Sequence, residues 1–319
     1  GLEKAWNAKK AFSRLGFGAL AILVITTALQ GIFAAIVIGV FGKNHIPEMA
    51  KWVITFVPMY LVAVPIGLSI MKKVPEKERN QGRLTVGEFF IYFCIGYFWL
   101  TIGNLLGINL LKVLQSILGH TISNPIESFL DGKSVWLSLV FVSIFAPMVE
   151  EFIFRKVLID RMRVYGDTAA IVVSALMFGL FHGNFSQFFY AFFLGILFGY
   201  IYTITGKLRY SVMMHMIVNF LGGVVGSLFL KYVNRDVLTD LSLGKIANIT
   251  PGQILPLILY GLYTVIIFII IIVGLILSIV KAKTVVLERG ESPRGAIANP
   301  GMICFIIASG IMIIISFTN

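Results

Sequence analysis

The chain has 319 residues, of which 58% are hydrophobic and 13% charged, with a formal net charge of +11. A soluble domain carries about 25% charged residues and a disordered chain lacks this much apolar material, so both classes are excluded. The cations sit in short segments between apolar runs rather than in an aromatic-interleaved basic domain, which points to membrane orientation and not to nucleic acid.

From the N-terminus, the basic stretch Gly1 to Arg14, with Lys4, Lys9, Lys10 and Arg14, leads into an apolar run at 16–41. That run exceeds a signal-peptide core and no small-residue cleavage motif follows, so it reads as a retained first span. Further apolar segments lie at 52–71, 86–110, 135–158, 168–182, 187–205, 210–230, 254–280 and 300–318. Runs of this kind are read as membrane helices. They predict an all-α, polytopic transmembrane bundle of nine spans, or eight if the last segment lies in the interface. With the N-terminus inside, 19 Lys and Arg fall on the inner side and 6 on the outer, Lys112 being unassigned at a span end. The bias predicts a cytoplasmic N-terminus in a plasma-membrane protein. Without an internal repeat, residues 1–319 read as one membrane domain. The 231–253 loop reads as mixed polar and exposed, and the 281–299 loop as a flexible cytoplasmic linker. Cys94 and Cys304 read as buried hydrophobes. The sequons at Asn184 and Asn248 read as chance matches.

Among the acidic residues, only Glu150 and Glu151 lie well inside an apolar run, from Phe141 to Leu158. A carboxylate there costs several kcal/mol unless it faces a partner or a water-filled cavity. Neighbours on a helix point about 100° apart, so the two are expected to do different jobs. Glu151 and Arg155 share a face, with the acid on the favourable N-terminal side. Glu150 is left unpaired within its own helix, and Pro147 weakens the hydrogen-bond ladder just before it.

His182 and His215 also lie in apolar surroundings. Phe178, one turn before His182, puts a ring on the face that presents the imidazole. Asn219, one turn after His215, puts a carboxamide beside the second imidazole. A helical bundle brings such faces together. Taken singly, a histidine reads as an interhelical hydrogen-bonding group and a Glu–Arg pair as a packing device. Four such groups on three helices read as a functional cluster. The 168–182 segment is short for a bilayer core, so His182 would lie about 21 Å up from the inner surface. A break at Gly183–Asn184 inside the membrane is tolerable only beside a cavity or buried in protein.

A carboxylate and an imidazole that share one water can activate it for carbonyl attack, which suits Glu150 and His182. A second imidazole and a carboxamide can stabilise the oxyanion, which suits His215 and Asn219. A zinc ion on Glu150, His182 and His215 is an equally open reading, since these are acceptable ligands. Sequence alone leaves metal and metal-free activation undecided.

These residues carry a family resemblance. Glu150-Glu151-Phe-Ile-Phe-Arg155 resembles the EExxxR motif of the CAAX protease and bacteriocin-processing (CPBP, or Abi) family. Phe178-Gly-Leu-Phe-His182 is similar to its FxxxH motif, and His215-Met-Ile-Val-Asn219 to its HxxxN/D motif. The three occur in family order within a catalytic core at about residues 135–220. The resemblance implies an intramembrane endopeptidase akin to the type II CAAX prenyl endopeptidases, acting on a peptide or membrane-anchored protein. It implies catalytic roles for Glu150, His182, His215 and Asn219, with Glu151, Arg155 and Phe178 in support. The family is called metalloprotease, although a metal-free glutamate mechanism has been proposed for it. Bacterial members are linked to bacteriocin immunity and peptide maturation. A silent scaffold or immunity protein is therefore one alternative, and a proton-coupled transporter using Glu150 and the histidines is another.

Overall fold

The computed structural model describes residues 5–123, 134–233 and 235–318. Lys4 and Lys133, both counted in the charge bias, lie outside the described residues. The described chain is helical and without strands. Its helices are α1 (Ala8–Phe41), α2 (Glu48–Met71), α3 (Val86–Leu118), α4 (Val135–Tyr165), α5 (Asp167–Phe181), α6 (Phe185–Thr205) and α7 (Leu208–Phe229), then a short α8 (Arg235–Ser242), α9 (Pro251–Ala282) and α10 (Pro300–Ser316). Seven of these are long and apolar enough to cross a membrane, while α5 and α10 have 15 and 17 residues. The nine apolar helices coincide with the nine apolar segments of the sequence.

Local signals set the helix ends. Thr85 and Glu88 form a reciprocal cap at the start of α3, and Gly119 ends it in the left-handed conformation. Asn7, Asn184 and Asn299 accept backbone N–H bonds at the starts of α1, α6 and α10, satisfying donors that a helix start leaves orphaned.

Two apolar packing groups meet at α6. One combines α1, α2, α4, α5 and α10, and the other α3, α6, α7 and α9, with Tyr190 of α6 touching both. Small residues permit the close crossings: a Cβ on Gly195 would lie 3.0 Å from the Ala175 backbone of α5. On the outside, α9 presents Ile258, Leu262, Ile266, Ile269 and Ile276 more than half exposed or nearly so. Such a belt is stable only against lipid.

The connections expected on the inner side lie together. Arg14 Nε donates to Ile70 O at 2.9 Å, Asn80 Nδ2 to Thr203 O at 2.7 Å, and Lys77 pairs with Glu288 at 3.0 Å. From this face α10 runs alongside α1, from Gly301 beside Ser13 to Met312 beside Thr27. It therefore packs along α1 and does not lie flat in the interface. The short α5 starts at the same face, where Asp167 N donates to Glu288 O at 3.1 Å, and stops where Gly183 meets Met312. Its end is thus part-way across.

Three expectations change. The 281–299 loop is docked, because Glu291 N donates to Val164 O at 2.9 Å and Glu288 N to Asp167 Oδ2 at 2.8 Å. Arg163 is nearly fully buried between Asp167, at 2.9 Å, and Glu288, at 3.5 Å. A loop that supplies partners for a buried guanidinium is structural. Second, the 231–253 segment is largely exposed, as read, but it is not only loop: it holds the amphipathic α8, whose Val237 is buried. Third, Cys304 is exposed on the outer side of α10, where an apolar thiol faces lipid, while Cys94 is half-buried.

Candidate active site

The fourth span does not keep one winding. Ser138–Phe145 and Phe152–Val157 are wide π-type turns on either side of the α-helical Ala146–Glu151. Such turns recur at functional sites because they re-aim side chains and free backbone groups. Here Ala146 N reaches back to Phe141 O, so the next donor that Val142 O would receive is residue 147. That residue is Pro147, which has no N–H. Asn219 Nδ2 of α7 takes the vacant place and donates to Val142 O at 2.9 Å. The proline in one helix thereby fixes the carboxamide of another.

A buried chain of charge runs between the two helices. Arg155 Nε donates to Glu151 Oε2 at 2.9 Å, and neither side chain has any exposure. Glu151 Oε1 faces His215 Nδ1 at 2.9 Å, and Ser211 lies against the same carboxylate. The other ring nitrogen, His215 Nε2, lies 3.4 Å from Glu150 Oε2. Adjacent carboxylates on α4, pointing in different directions, thus take opposite nitrogens of one imidazole. Only Glu150 of the pair reaches open space, its side chain being 19% exposed.

His182 caps the end of α5, with Nδ1 at 2.8 Å from Phe178 O. A carbonyl accepts only, so Nδ1 carries the hydrogen and, in the neutral ring, Nε2 keeps a lone pair. Glu150 and His215 both lie within electrostatic range of this ring. Gly183 follows at a φ of 66°, a left-handed conformation that glycine adopts without strain, and the chain turns directly into α6.

Phe178 is the hub of the apolar surround. Its ring meets His182 edge-on at 4.9 Å and His215 at 5.9 Å, and the Arg155 guanidinium lies 4.8 Å from its centroid. Phe154 packs on the same ring at 5.2 Å. All seven residues singled out in the sequence therefore sit in one region where α4, α5 and α7 meet.

Others were not singled out. Phe198 of α6 lies 5.6 Å from His215 and 5.8 Å from Arg155. Tyr60 of α2 and Tyr190 of α6 lie within electrostatic range of Glu150, and Gln187 Nε2 donates to Tyr190 Oη at 3.1 Å. Nothing local marks these aromatics among the many on apolar helices. Only the rotation of α2 and α6 about their axes decides that they face the carboxylate.

The donor atoms bear on the metal reading. Both nitrogens of His215 face carboxylate oxygens, and Nδ1 of His182 faces a carbonyl. Among the described residues, no group of three or more His, Cys, Asp or Glu side chains is arranged to hold a metal ion. As placed, Glu150, His182 and His215 do not form a ligand set, and no step below runs through a metal.

Residues 132–221 match the family described as type II CAAX prenyl endopeptidase Rce1-like. Residues 132–221 are thus similar to that family's domain. The matched segment spans all seven residues of the cluster and extends from the start of α4 into α7. The chain is also 28% identical, over 132 aligned residues, to the membrane-embedded CAAX protease MroQ of Staphylococcus aureus (strain USA300). That alignment covers 36% of this chain and 53% of the relative, so the chain spans about half the length of the curated protein it matches. No solved structure matches the chain. Both similarities are to proteases, and the curated relative is embedded in the membrane.

Proposed function

We propose that this protein is an intramembrane endopeptidase that hydrolyses a peptide bond of a membrane-associated protein or peptide with a water activated by Glu150. One observation carries the reading. Of two adjacent intramembrane carboxylates, Glu151 is sealed against Arg155 and His215, while Glu150 opens to the space that His182 also approaches.

The roles follow from the available atoms. Water between Glu150 and the His182 Nε2 lone pair meets two acceptors, which aligns it and lets Glu150 take a proton as the oxygen attacks. The developing oxyanion needs donors. Asn219 uses one N–H on Val142 O, and its carboxamide has a second. His215, when it carries hydrogen on Nε2, supplies another. Glu151 holds the opposite ring nitrogen and sets the orientation of that imidazole, as a carboxylate behind a histidine does in other hydrolases. The proton on Glu150 then passes to the leaving amine. In cells we place the protein in the plasma membrane, with the N-terminus and the basic loops on the cytoplasmic side.

The test is cleavage of a membrane-anchored peptide in liposomes by wild type, Glu150→Gln and His182→Ala, each with and without a chelator. Wild type is expected to cut with and without chelator. Glu150→Gln should lose at least about 100-fold in rate, the usual scale for a general base. Equal product from wild type and Glu150→Gln would overturn the mechanism, and loss of activity on chelation would return the site to metal chemistry.

A further inference from the structure

A cavity of about 480 Å³ opens where the first turns of α1 meet the end of α2 and the start of α10. Lys9, Lys10 and Arg14 line it, and among the described residues no acidic one does. Arg14 is held in place by its bond to Ile70 O, and Lys10 Nζ lies over the Trp6 ring at 5.0 Å from its centroid. Phe17 and Ile70 form an apolar wall on the side toward the bilayer, with Phe17 itself 40% exposed. Two helix starts add to the positive field. α1 begins at Ala8, and Pro300, the first residue of α10, lines the cavity. Lys10 N, Gly301 N and Met302 N already donate to Asn7, Ser13 and Asn299, so these starts contribute the positive ends of their helix dipoles.

The cavity lies on the face where the basic loops gather, at the ends of three membrane helices, which is headgroup depth. Three cations, with no acidic residue among the described lining, favour an anion there. A soluble anion has no use for an apolar wall that continues toward the hydrocarbon. A phospholipid brings both parts, a phosphate for the cations and a chain for Phe17 and Ile70. We propose that this cavity is a binding site for the headgroup of an anionic phospholipid, with Lys9, Lys10 and Arg14 on the phosphate and the acyl chain along Phe17. It stands apart from the catalytic cluster, and its test does not depend on cleavage.

The experiment titrates the full chain, in neutral detergent, with short-chain phosphatidylglycerol, short-chain phosphatidylcholine and inorganic phosphate, reading bound lipid by native mass spectrometry. Phosphatidylglycerol should bind, and Lys9→Gln/Lys10→Gln should bind it roughly 30-fold more weakly, taking each surface cation as worth about fivefold. Phosphatidylcholine should not bind. Equal phosphatidylglycerol binding by wild type and the double variant would overturn the site. Inorganic phosphate that displaces phosphatidylglycerol at equal concentration would overturn the lipid as its occupant. A second readout uses the fluorescence of Trp6, isolated as the difference between wild type and Trp6→Phe. Phosphatidylglycerol with brominated chains should quench it and brominated phosphatidylcholine should not. An unquenched Trp6 overturns the proposal even where the lysine variant folds poorly.

Discussion

Replacing Arg155 by Met removes the one cation bonded to a carboxylate that has no exposure at all. Glu151 would keep only His215 Nδ1, at 2.9 Å, and Ser211 as polar neighbours. Breaking a buried pair by removing one partner costs about 3–5 kcal/mol, because the remaining charge stays desolvated. For a chain of this size that is a fall in Tm of roughly 6–20 °C. Removing both charges is different. Glu151→Leu/Arg155→Met leaves no uncompensated charge, and its Tm should return to within a few degrees of wild type. Arg155 Nη1 has no partner in the native packing, so the wild-type pair is itself imperfectly satisfied, which favours that recovery. Peptide cleavage should nevertheless fail in the double variant, since His215 loses the carboxylate that orients it. The assay pairs thermal unfolding in detergent with cleavage in liposomes across the single and double variants. An unchanged Tm in Arg155→Met, or a double variant as unstable as the single, would refute the view that the pair is a closed, buried unit.

Pro147→Ala restores an N–H that can bond Val142 O and compete with Asn219, so cleavage should slow by about 10-fold or more while Tm holds or rises; activity kept at the wild-type level would show that Asn219 needs no such placement. Gly290→Ala puts a Cβ against Val164 O and the Gly166 backbone, which should lift the 281–299 loop and expose it to limited proteolysis; an uncut loop would refute the docking. The same loop should respond to acid. Lys77, hydrogen-bonded to Glu288, holds its carboxyl below the ordinary range of about 4.3. The bond's contribution is therefore complete above that value and lost as pH falls through the lower folded-state pKa. Proteolysis of 281–299 should rise below about pH 4, against Arg163 and Asp167 as the remaining partners, and a pH-independent cleavage rate would contradict it.

Much of the architecture was legible because a bilayer leaves few options. Nearly every backbone polar group in hydrocarbon is satisfied within its own helix, so apolar runs map onto helices with little interference from tertiary context. The chemistry-bearing residues were legible for the same reason, since an ionisable group in such a run stands out by its cost. Glu150, Glu151, Arg155, His182, His215 and Asn219 needed no structure to be noticed. The 281–299 loop was misread because its polar composition is that of a linker, and its partners, Val164 and Asp167, are more than a hundred residues away.

By itself, the sequence determined which segments enter the membrane, which residues pay a desolvation cost there, and that Glu151 and Arg155 share a helix face. The tertiary structure decided how His215 divides the two carboxylates, one sealed and one open, and that Asn219 answers the carbonyl left free by Pro147. It also decided that Phe198, Tyr60 and Tyr190 face the site. Those outcomes depend on how α2, α4, α6 and α7 rotate and on where α4 changes its winding. No local pattern encodes either, because both are settled by packing between helices distant in the chain.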